Sequence, residues 1–181
     1  MTPPAVLRSA RLCLRPPTVA DAPALFQAYT QDAEVARYTT WSAHRSLDET
    51  RQFLEGYVEA RAAGKLYSWL ITTVEDGRAV GMIDSRLDGF RAEIGYVLAR
   101  ALWGRGLMTE AAETVVTHML AEPGIQRVWA TVDLENVASQ RVLQKIGMER
   151  EGILRRWLIA PTLGPLPRDV YSFSRVKEAS P

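Results

Sequence analysis

The chain has 181 residues, and its 22 basic and 21 acidic side chains leave a formal net charge of +1. This length suits one domain, so we predict a single domain over residues 1–181. The balanced charge excludes the broad positive field of a nonspecific nucleic-acid binder. One cysteine, Cys13, and two separated histidines, His44 and His118, predict neither a disulfide framework nor a metal site.

Hydropathy along the chain predicts a cytoplasmic protein that has no membrane partner. No apolar run approaches the roughly 20 residues that span a bilayer. Residues 1–5 lead into no apolar stretch of the kind that signal peptides contain. The protein's chemistry must therefore be sought in local patterns.

The first half of the chain predicts one strand, three helices and a strand meander. Alternating side chains predict a strand over residues 6–15, which Pro16 and Pro17 end. Capping patterns and apolar periodicity predict helices over residues 18–29, 32–37 and 46–63. Residues rich in aromatic and β-branched side chains follow, separated by two Asp-Gly turns. They predict strands over residues 66–74, 79–87 and 92–98.

The hydrophobic period changes after the meander. It predicts a helix over residues 107–122, a strand over 126–133 and a helix over 137–146. Two further strands, over residues 148–159 and 169–176, flank a proline-rich loop. The order of these elements predicts an α/β fold around a mixed sheet.

A Gly-x-Gly turn between the third meander strand and the next helix is the most informative segment. Glycines allow a tight turn and a close approach of a ligand to backbone amides. A helix N-terminus adds unpaired N–H groups and a partial positive charge. The predicted phosphate-binding residues are Arg105, Gly106, Leu107, Met108 and Thr109. An ordinary flexible turn explains the pattern equally well, whereas the Walker and dinucleotide patterns both fail.

A second strand–helix unit lies about 30 residues further on. Asn136 has the position of an N-cap, and Ser139 falls on the same face of the following helix. A capped helix with a surface serine is the alternative interpretation of this unit taken alone.

Both units together resemble the GNAT superfamily of acyl-CoA N-acetyltransferases, in its RimJ/RimL-type branch. The resemblance lies in three phrases: Ala-Glu-Ile-Gly-Tyr-Val-Leu, Trp-Gly-Arg-Gly-Leu-Met-Thr-Glu-Ala and Asp-Leu-Glu-Asn-Val-Ala-Ser-Gln-Arg-Val-Leu. It spans residues 6–175 and implies a single domain with a mixed, mostly antiparallel sheet, splayed at its two central strands. One departure is Ala101, where the superfamily often has glutamine or arginine, so phosphate binding would rest on backbone amides.

The resemblance implies acetyl-CoA as the cofactor and assigns roles to residues beside it. Pantetheine would lie between the splayed strands, along Tyr96, Val97 and Leu98. A backbone N–H near Tyr96 or Val97 would polarise the thioester oxygen. Asn136 would contact the pantetheine, and Ser139 would stabilise the departing thiolate.

Glu93 is the first candidate for the general base, acting through water, and an outer-face carboxylate or ion pair is the alternative role. His44 is the second candidate, because its ordinary pKa suits a base. His118 lies among apolar helix residues and is interpreted as structural, and Asp133 could order the loop that follows it. Cys13 is rejected as a nucleophile because no histidine lies near it in sequence.

The branch resemblance implies a protein N-terminal α-amine as the acceptor, with a small-molecule amine as the alternative. Trp41, Trp157 and the loop over residues 160–167 are candidates to shape the acceptor pocket. A non-catalytic acyl-CoA-binding domain is the rival from another class, and a nucleotide-binding module is the least favoured. We expect no nucleic-acid partner, and either a monomer or a homodimer.

Overall fold

The computed structural model describes residues 6–178 and contains an eight-stranded sheet. Residues 1–5, for which the sequence predicts no signal peptide, lie outside the described part. The strands cross the sheet in the order β1-β2-β3-β4-β5-β6-β8-β7. Their bounds are β1 (Leu7–Arg8), β2 (Leu12–Arg15), β3 (Tyr67–Thr73), β4 (Ala79–Asp88), β5 (Arg91–Leu98), β6 (Arg127–Asp133), β7 (Glu149–Leu158) and β8 (Arg168–Val176).

Helices cover both faces of the sheet. They are α1 (Ala22–Leu25), α2 (Ala33–Ala36), α3 (Leu47–Ala62), α4 (Leu107–Ala121) and α5 (Val137–Lys145). On one side, here the α4 face, α4 packs against β2, β5 and β6. On the opposite side, the α3 face, α1 and α3 pack against β3 and β4. Within residues 6–178, no helix is both long enough and apolar enough to cross a membrane.

Alternation along the strands builds a separate core on each face. Ile94 and Leu98 of β5 join Val115 of α4 in the core of the α4 face. Leu70 of β3 joins Leu54 of α3 in the core of the α3 face. Because side chains alternate along a strand, residues one apart face different helices and residues two apart share a helix.

The pairing of the two central strands stops partway along them. β5 and β6 form the parallel pair of the sheet, and they pair at Arg91–Arg127, Ala92–Val128 and Glu93–Trp129. Beyond these positions β5 continues to pair with β4, and β6 with β8. We call the opening between residues 94–98 and 130–133 the interstrand cleft. The mixed, mostly antiparallel and splayed sheet expected from the resemblance is therefore confirmed.

Two predicted elements differ from the structure. The strand over residues 6–15 is a hairpin, because the chain reverses after β1 and the Ser9 N–H donates to the Leu12 carbonyl at 3.0 Å. The helix over residues 18–29 is a 3₁₀ turn, the short helix α1 and a π-helical turn over Phe26–Thr30. Alternation and helical periodicity record which side chains are apolar, but neither records a reversal or a local change of helix type.

Candidate active site

The glycine turn, residues 104–109, leads from β5 into α4, and its backbone makes the tight turn that the sequence predicts. Gly104 and Gly106 both have a φ of 75°, a left-handed conformation that strains a residue bearing a Cβ. Gly106 is the N-cap of α4 and no side chain caps the helix, so the first-turn N–H groups remain available to an anion. Buried side chains of Leu107 and Met108 anchor this turn in the core.

Arg11, in the turn between β1 and β2, holds the glycine turn from outside. Its Nη1 donates to the Arg105 carbonyl at 3.1 Å, and its Nε donates to Glu110 at 2.6 Å. The Ser9 hydroxyl donates to the same carboxylate at 2.7 Å. Burial raises the pKa of Glu110, but hydrogen bonds from Ser9 and Arg11 outweigh it and leave that pKa below its ordinary value. Sequence analysis missed Arg11, because the contact joins residues about 100 positions apart.

The register between β4 and β5 decides which amides face the interstrand cleft. The Ala99 N–H donates to the Val80 carbonyl of the neighbouring strand at 2.8 Å. Since amides alternate in direction along an antiparallel strand, the Val97 N–H also points to β4, and those of Tyr96 and Leu98 point to the cleft. Of the two residues expected to supply the backbone donor, Tyr96 directs its N–H into the cleft, as Leu98 does, and Val97 directs its N–H to β4.

Ser139 of α5 and Tyr96 of β5 meet across the interstrand cleft. Their hydroxyl oxygens lie 2.7 Å apart, and the tyrosine hydroxyl is 3.3 Å from the Ser139 carbonyl. Burial raises the pKa of Tyr96 above its ordinary value, although the bond to Ser139 opposes this. Asn136 caps α5 as predicted, because its Oδ1 accepts from the Ser139 N–H at 3.1 Å. The cap uses only the carbonyl half of the Asn136 side chain.

Asp133 orders the loop between β6 and α5, as predicted. Its side chain is 1% exposed and accepts from Arg168 Nε at 2.5 Å. Its Oδ1 also accepts from the backbone N–H of Glu135 at 2.9 Å. These contacts fix the loop that delivers Asn136 to the start of α5.

A cavity of about 580 Å³ lies between the glycine turn and the C-terminal end of α5. It brings the glycine turn and α4 together with cationic side chains from distant segments. Its lining residues are Gly106, Thr109, Glu110, Glu113, Lys145, Ile146, Gly147 and Arg175. The uncapped helix end fits the phosphates of a nucleotide-bearing cofactor. Of the two cations in the lining, Arg175 is already paired with Glu113 at 3.1 Å.

Glu93 lies on the α3 face, at the last pair before the interstrand cleft opens. It stands opposite Arg86 of β4 and Trp129 of β6. Its half-burial raises the pKa of the carboxyl, while the nearby Arg86 opposes that shift. Tyr96 lies three positions along β5 and faces the opposite side with Ser139. The two predicted catalytic residues, Glu93 and Ser139, therefore approach the cleft from different faces of the sheet.

Asp84 of β4 is a second carboxylate on the α3 face, and sequence analysis missed it. Tyr57 of α3 donates to its Oδ2 at 3.0 Å, and Arg86 Nη1 lies 3.0 Å from its Oδ1. Asp84 is 7% exposed, and burial raises its pKa to about 6, although Arg86 and Tyr57 oppose the rise. An acidic residue inside an otherwise buried strand was the signal that could have found it.

His44 belongs to an aromatic cluster rather than to the carboxylates. Its Nδ1 lies 2.8 Å from the Thr50 hydroxyl, and its ring lies 5.3 Å from both Trp41 and Phe53, centroid to centroid. Burial lowers the pKa of His44. Phe53 in turn contacts Tyr57 at 4.7 Å, so the cluster leads along α3 toward Asp84.

The remaining candidate residues have structural surroundings. His118 lies on α4 with its Nε2 at 3.5 Å from a carboxylate oxygen of Glu122. Cys13 lies in β2 and pairs with Thr72 of β3, whose hydroxyl donates to the Cys13 carbonyl at 2.9 Å. Neither contact places these side chains in the interstrand cleft.

The loop over residues 160–167 reaches the helices of the α3 face. The Thr162 hydroxyl donates to the carbonyl of Ala36 in α2 at 3.3 Å. Beside this loop, at the end of β6, is a cavity of about 410 Å³. Its lining residues are Leu134, Glu135, Leu163, Gly164, Pro165, Leu166, Pro167, Arg168 and Asp169. The loop proposed to shape the acceptor pocket therefore forms one wall of a cavity near the open end of the cleft.

Residues 11–149 match the family model of the acetyltransferase (GNAT) domain. The uncharacterized N-acetyltransferase p20 of Bacillus licheniformis is 31% identical over 94% of this chain and 96% of its own length. The uncharacterized N-acetyltransferase YoaA of Bacillus subtilis is 29% identical over 96% of this chain and 98% of its own. The chain belongs to the GNAT family of acetyltransferases.

Solved structures have the same fold. A GNAT-family acetyltransferase from Bacillus anthracis superposes with a TM-score of 0.83 at 26% identity, covering 96% of this chain and 99% of that one. RimL, a ribosomal L7/L12 α-N-protein acetyltransferase solved with coenzyme A, gives 0.84 at 22% identity, covering 97% and 99%. The chain is an N-acetyltransferase that uses acetyl-CoA, and its fold is that of the RimJ/RimL-type proteins.

Proposed function

We propose that the acceptor of this acetyltransferase is the α-amino group of a protein N-terminus, which attacks the thioester directly. The observation that carries the proposal is the open cavity at the end of β6. Leu166, in its lining, is 77% exposed, and Trp157 on the neighbouring strand β7 is 54% exposed. An exposed apolar rim favours a polypeptide, which covers it on binding, over a small amine, which leaves it in water.

In this proposal the glycine turn holds the cofactor's pyrophosphate. The turn combines a helix N-terminus with the backbone freedom of two glycines. The phosphate-binding residues are Arg105, Gly106, Leu107, Met108 and Thr109. Bound acetyl-CoA supplies an acetyl group already activated as a thioester, so the chain needs only to position it and to handle charge and protons.

The interstrand cleft is the proposed site of the pantetheine and thioester. The N–H groups of Tyr96 and Leu98 polarise the thioester oxygen, since the register directs both into the cleft. The side-chain amide of Asn136 contacts the pantetheine, because the helix cap uses only its oxygen. The Ser139 hydroxyl, held by Tyr96 at 2.7 Å, stabilises the thiolate as it leaves.

Glu93 is the proposed proton acceptor on the amine side. It lies on the face of the sheet opposite Ser139. In this proposal the amine is deprotonated on one face and the leaving sulfur is stabilised on the other. Its raised pKa, caused by burial, brings the carboxylate closer to the working range of a general base.

The test is a screen of N-terminal peptides, including those of ribosomal proteins, together with small amines and polyamines. Thiol release and mass spectrometry of the products report turnover, and each peptide is paired with its N-terminally blocked form. We expect acetylation of free peptide N-termini, with no reaction of the blocked forms.

Two other outcomes contradict the proposal in different ways. Turnover of small amines alone would assign the enzyme to small-molecule acetylation. Tight binding of acetyl-CoA in a calorimeter without thiol release from any acceptor would instead favour an acyl-CoA-binding domain.

A further inference from the structure

Gly95 of β5 has no side chain, and we call the space that a side chain would occupy there, beside Asp84, the Gly95 notch. We propose that Asp84 binds the acceptor's ammonium group in this notch and removes its first proton. The inference rests on the proposed transfer of acetyl to an amine. It assigns ammonium recognition to a carboxylate of β4, one strand away from Glu93.

The carboxylate of Asp84 and the guanidinium of Arg86 border the Gly95 notch. A Cβ built on Gly95 would lie 3.4 Å from Asp84 Oδ1, 3.8 Å from Asp84 Oδ2 and 3.7 Å from Arg86 Nη1. The backbone of Gly95 is not left-handed, so its lack of a side chain is not required by the turn of the chain. The glycine serves to leave space beside Asp84.

The Gly95 notch is also next to the reacting thioester. Gly95 is two positions beyond Glu93, where the pairing with β6 ends, so no strand covers it on the cleft side. The peptide unit from Gly95 to Tyr96 carries one of the N–H groups that point into the cleft. The Gly95 notch therefore adjoins the residue whose N–H is the proposed oxyanion donor.

Asp84 is incompletely partnered for a buried carboxylate. Its Oδ2 accepts from Tyr57, but its buried Oδ1 accepts no hydrogen bond of good geometry from the described residues. Arg86 balances its charge at 3.0 Å, and the side chain of that arginine is about half exposed. An ammonium group can replace Arg86 at Oδ1, because both are cations and the arginine is free to move outward.

The charged and titratable groups around Asp84 come from every element packed against it. α3 contributes Tyr57, and β4 itself contributes Arg86. The buried Tyr29 of the π-helical turn acts on Tyr57. β5 contributes Glu93, whose charge adds to the effect of burial in raising the pKa of Asp84 to about 6. β3 presents the neutral Ser68 directly opposite Asp84.

The proton and bond changes balance. The ammonium gives one proton to Asp84, which passes it to Glu93, the proton acceptor on the amine side, and Glu93 releases it to solvent. The nitrogen lone pair forms the new C–N bond while the C–S bond breaks. The sulfur leaves with the electron pair of the broken C–S bond and takes the second proton of the amine, so the products are the amide, the free thiol and one proton.

The experiment measures kcat and KM for the amine between pH 5 and 9, together with acetyl-CoA affinity by calorimetry. Asp84→Asn is expected to lower kcat/KM about 100-fold and to abolish its rise through pH 6. Glu93→Gln is expected to retain that rise. Gly95→Ala, which fills the notch, is expected to raise the amine KM about tenfold or more. All three variants are expected to keep the acetyl-CoA affinity of the original protein.

Two control variants distinguish an effect at the Gly95 notch from a general effect on folding. Asp88→Asn changes an exposed carboxylate of the same strand, and Gly56→Ala adds a methyl group on α3 with no atom within 4 Å. Both are expected to leave the kinetics unchanged. A persistent rise through pH 6 in Asp84→Asn, or an unchanged amine KM in Gly95→Ala, would overturn the role of Asp84 while acetyl transfer stands. Absence of turnover with every amine would overturn the proposed function and this inference together.

Discussion

Replacing each glycine of the glycine turn with alanine distinguishes the effect of backbone strain on stability from the effect on cofactor affinity. Gly104 and Gly106 share a φ of 75°, and a Cβ in the left-handed region costs about 1–2 kcal/mol. Gly104→Ala and Gly106→Ala are therefore expected to lose similar stability. For a chain of this size that loss corresponds to a fall in Tm of about 2–8 °C.

Affinity for acetyl-CoA is expected to differ between the two variants. A Cβ at Gly106 meets Arg11 Nη2 at 3.7 Å beside the first-turn amides, whereas one at Gly104 has no atom within 4 Å. Gly106→Ala is expected to weaken binding at least tenfold, about 1.4 kcal/mol, and Gly104→Ala less than about threefold, about 0.65 kcal/mol.

Thermal unfolding and calorimetry with acetyl-CoA measure the two effects on the same samples. S-acetylpantetheine, which lacks the pyrophosphate, is the matched ligand, and its affinity is expected to be equal in both variants. Equal losses of acetyl-CoA affinity in the two variants would refute the assignment of the phosphates to the α4 amides.

Four further predictions concern the cleft and its supports. Ser139→Ala is expected to lower kcat about 10- to 100-fold with little change in acetyl-CoA affinity, and unchanged turnover would contradict its thiolate role. A double-mutant cycle of Ser139→Ala and Tyr96→Phe, measured by urea unfolding, is expected to give a coupling free energy of about 1 kcal/mol, because the two hydroxyl oxygens lie 2.7 Å apart. Additive losses of stability in the double mutant would contradict this hydrogen bond. The hydrogen bonds of Glu151, chiefly from an arginine of β6, lower its pKa to about 2. Because the pKa of Glu151 is lower in the folded than in the unfolded state, the ionised carboxylate stabilises the fold above about pH 4.3 and loses that effect as the pH falls toward 2. Glu151→Gln is expected to reduce the dependence of the free energy of unfolding on pH over this range. An unaltered pH dependence would contradict this prediction. Asp133→Asn is expected to cost about 2 kcal/mol by weakening the pair with Arg168, and a smaller loss in denaturant unfolding than that of an exposed Asp48→Asn control would refute it.

Much of the fold could be predicted from the sequence because its signals are local. The Asp-Gly turns and alternating strands define the meander, and the period change after Gly106 marks α4. The cap at Asn136 is likewise a contact between residues three apart. Such features depend on neighbours in the chain, so a pattern is enough to find them.

The missed features depend on contacts between distant residues. The direction of the Val97 amide follows from its register with β4, which no single strand's sequence states. The pKa of Asp84 is raised by burial and by the nearby charge of Glu93. A carboxylate in a strand indicates that a partner exists, but only the folded sheet identifies the partner.

The contact between Arg11 and Glu110 has a consequence for synthesis of the chain. The two residues are 99 positions apart, so at about 5–20 residues per second the N-terminal hairpin waits roughly 5–20 s for its partner to leave the ribosome. The glycine turn directly precedes Glu110 in the chain, so both leave the ribosome together and meet a hairpin that is already synthesised. Competence to bind cofactor phosphate is therefore acquired late, and it reports that the two ends of the segment have come together.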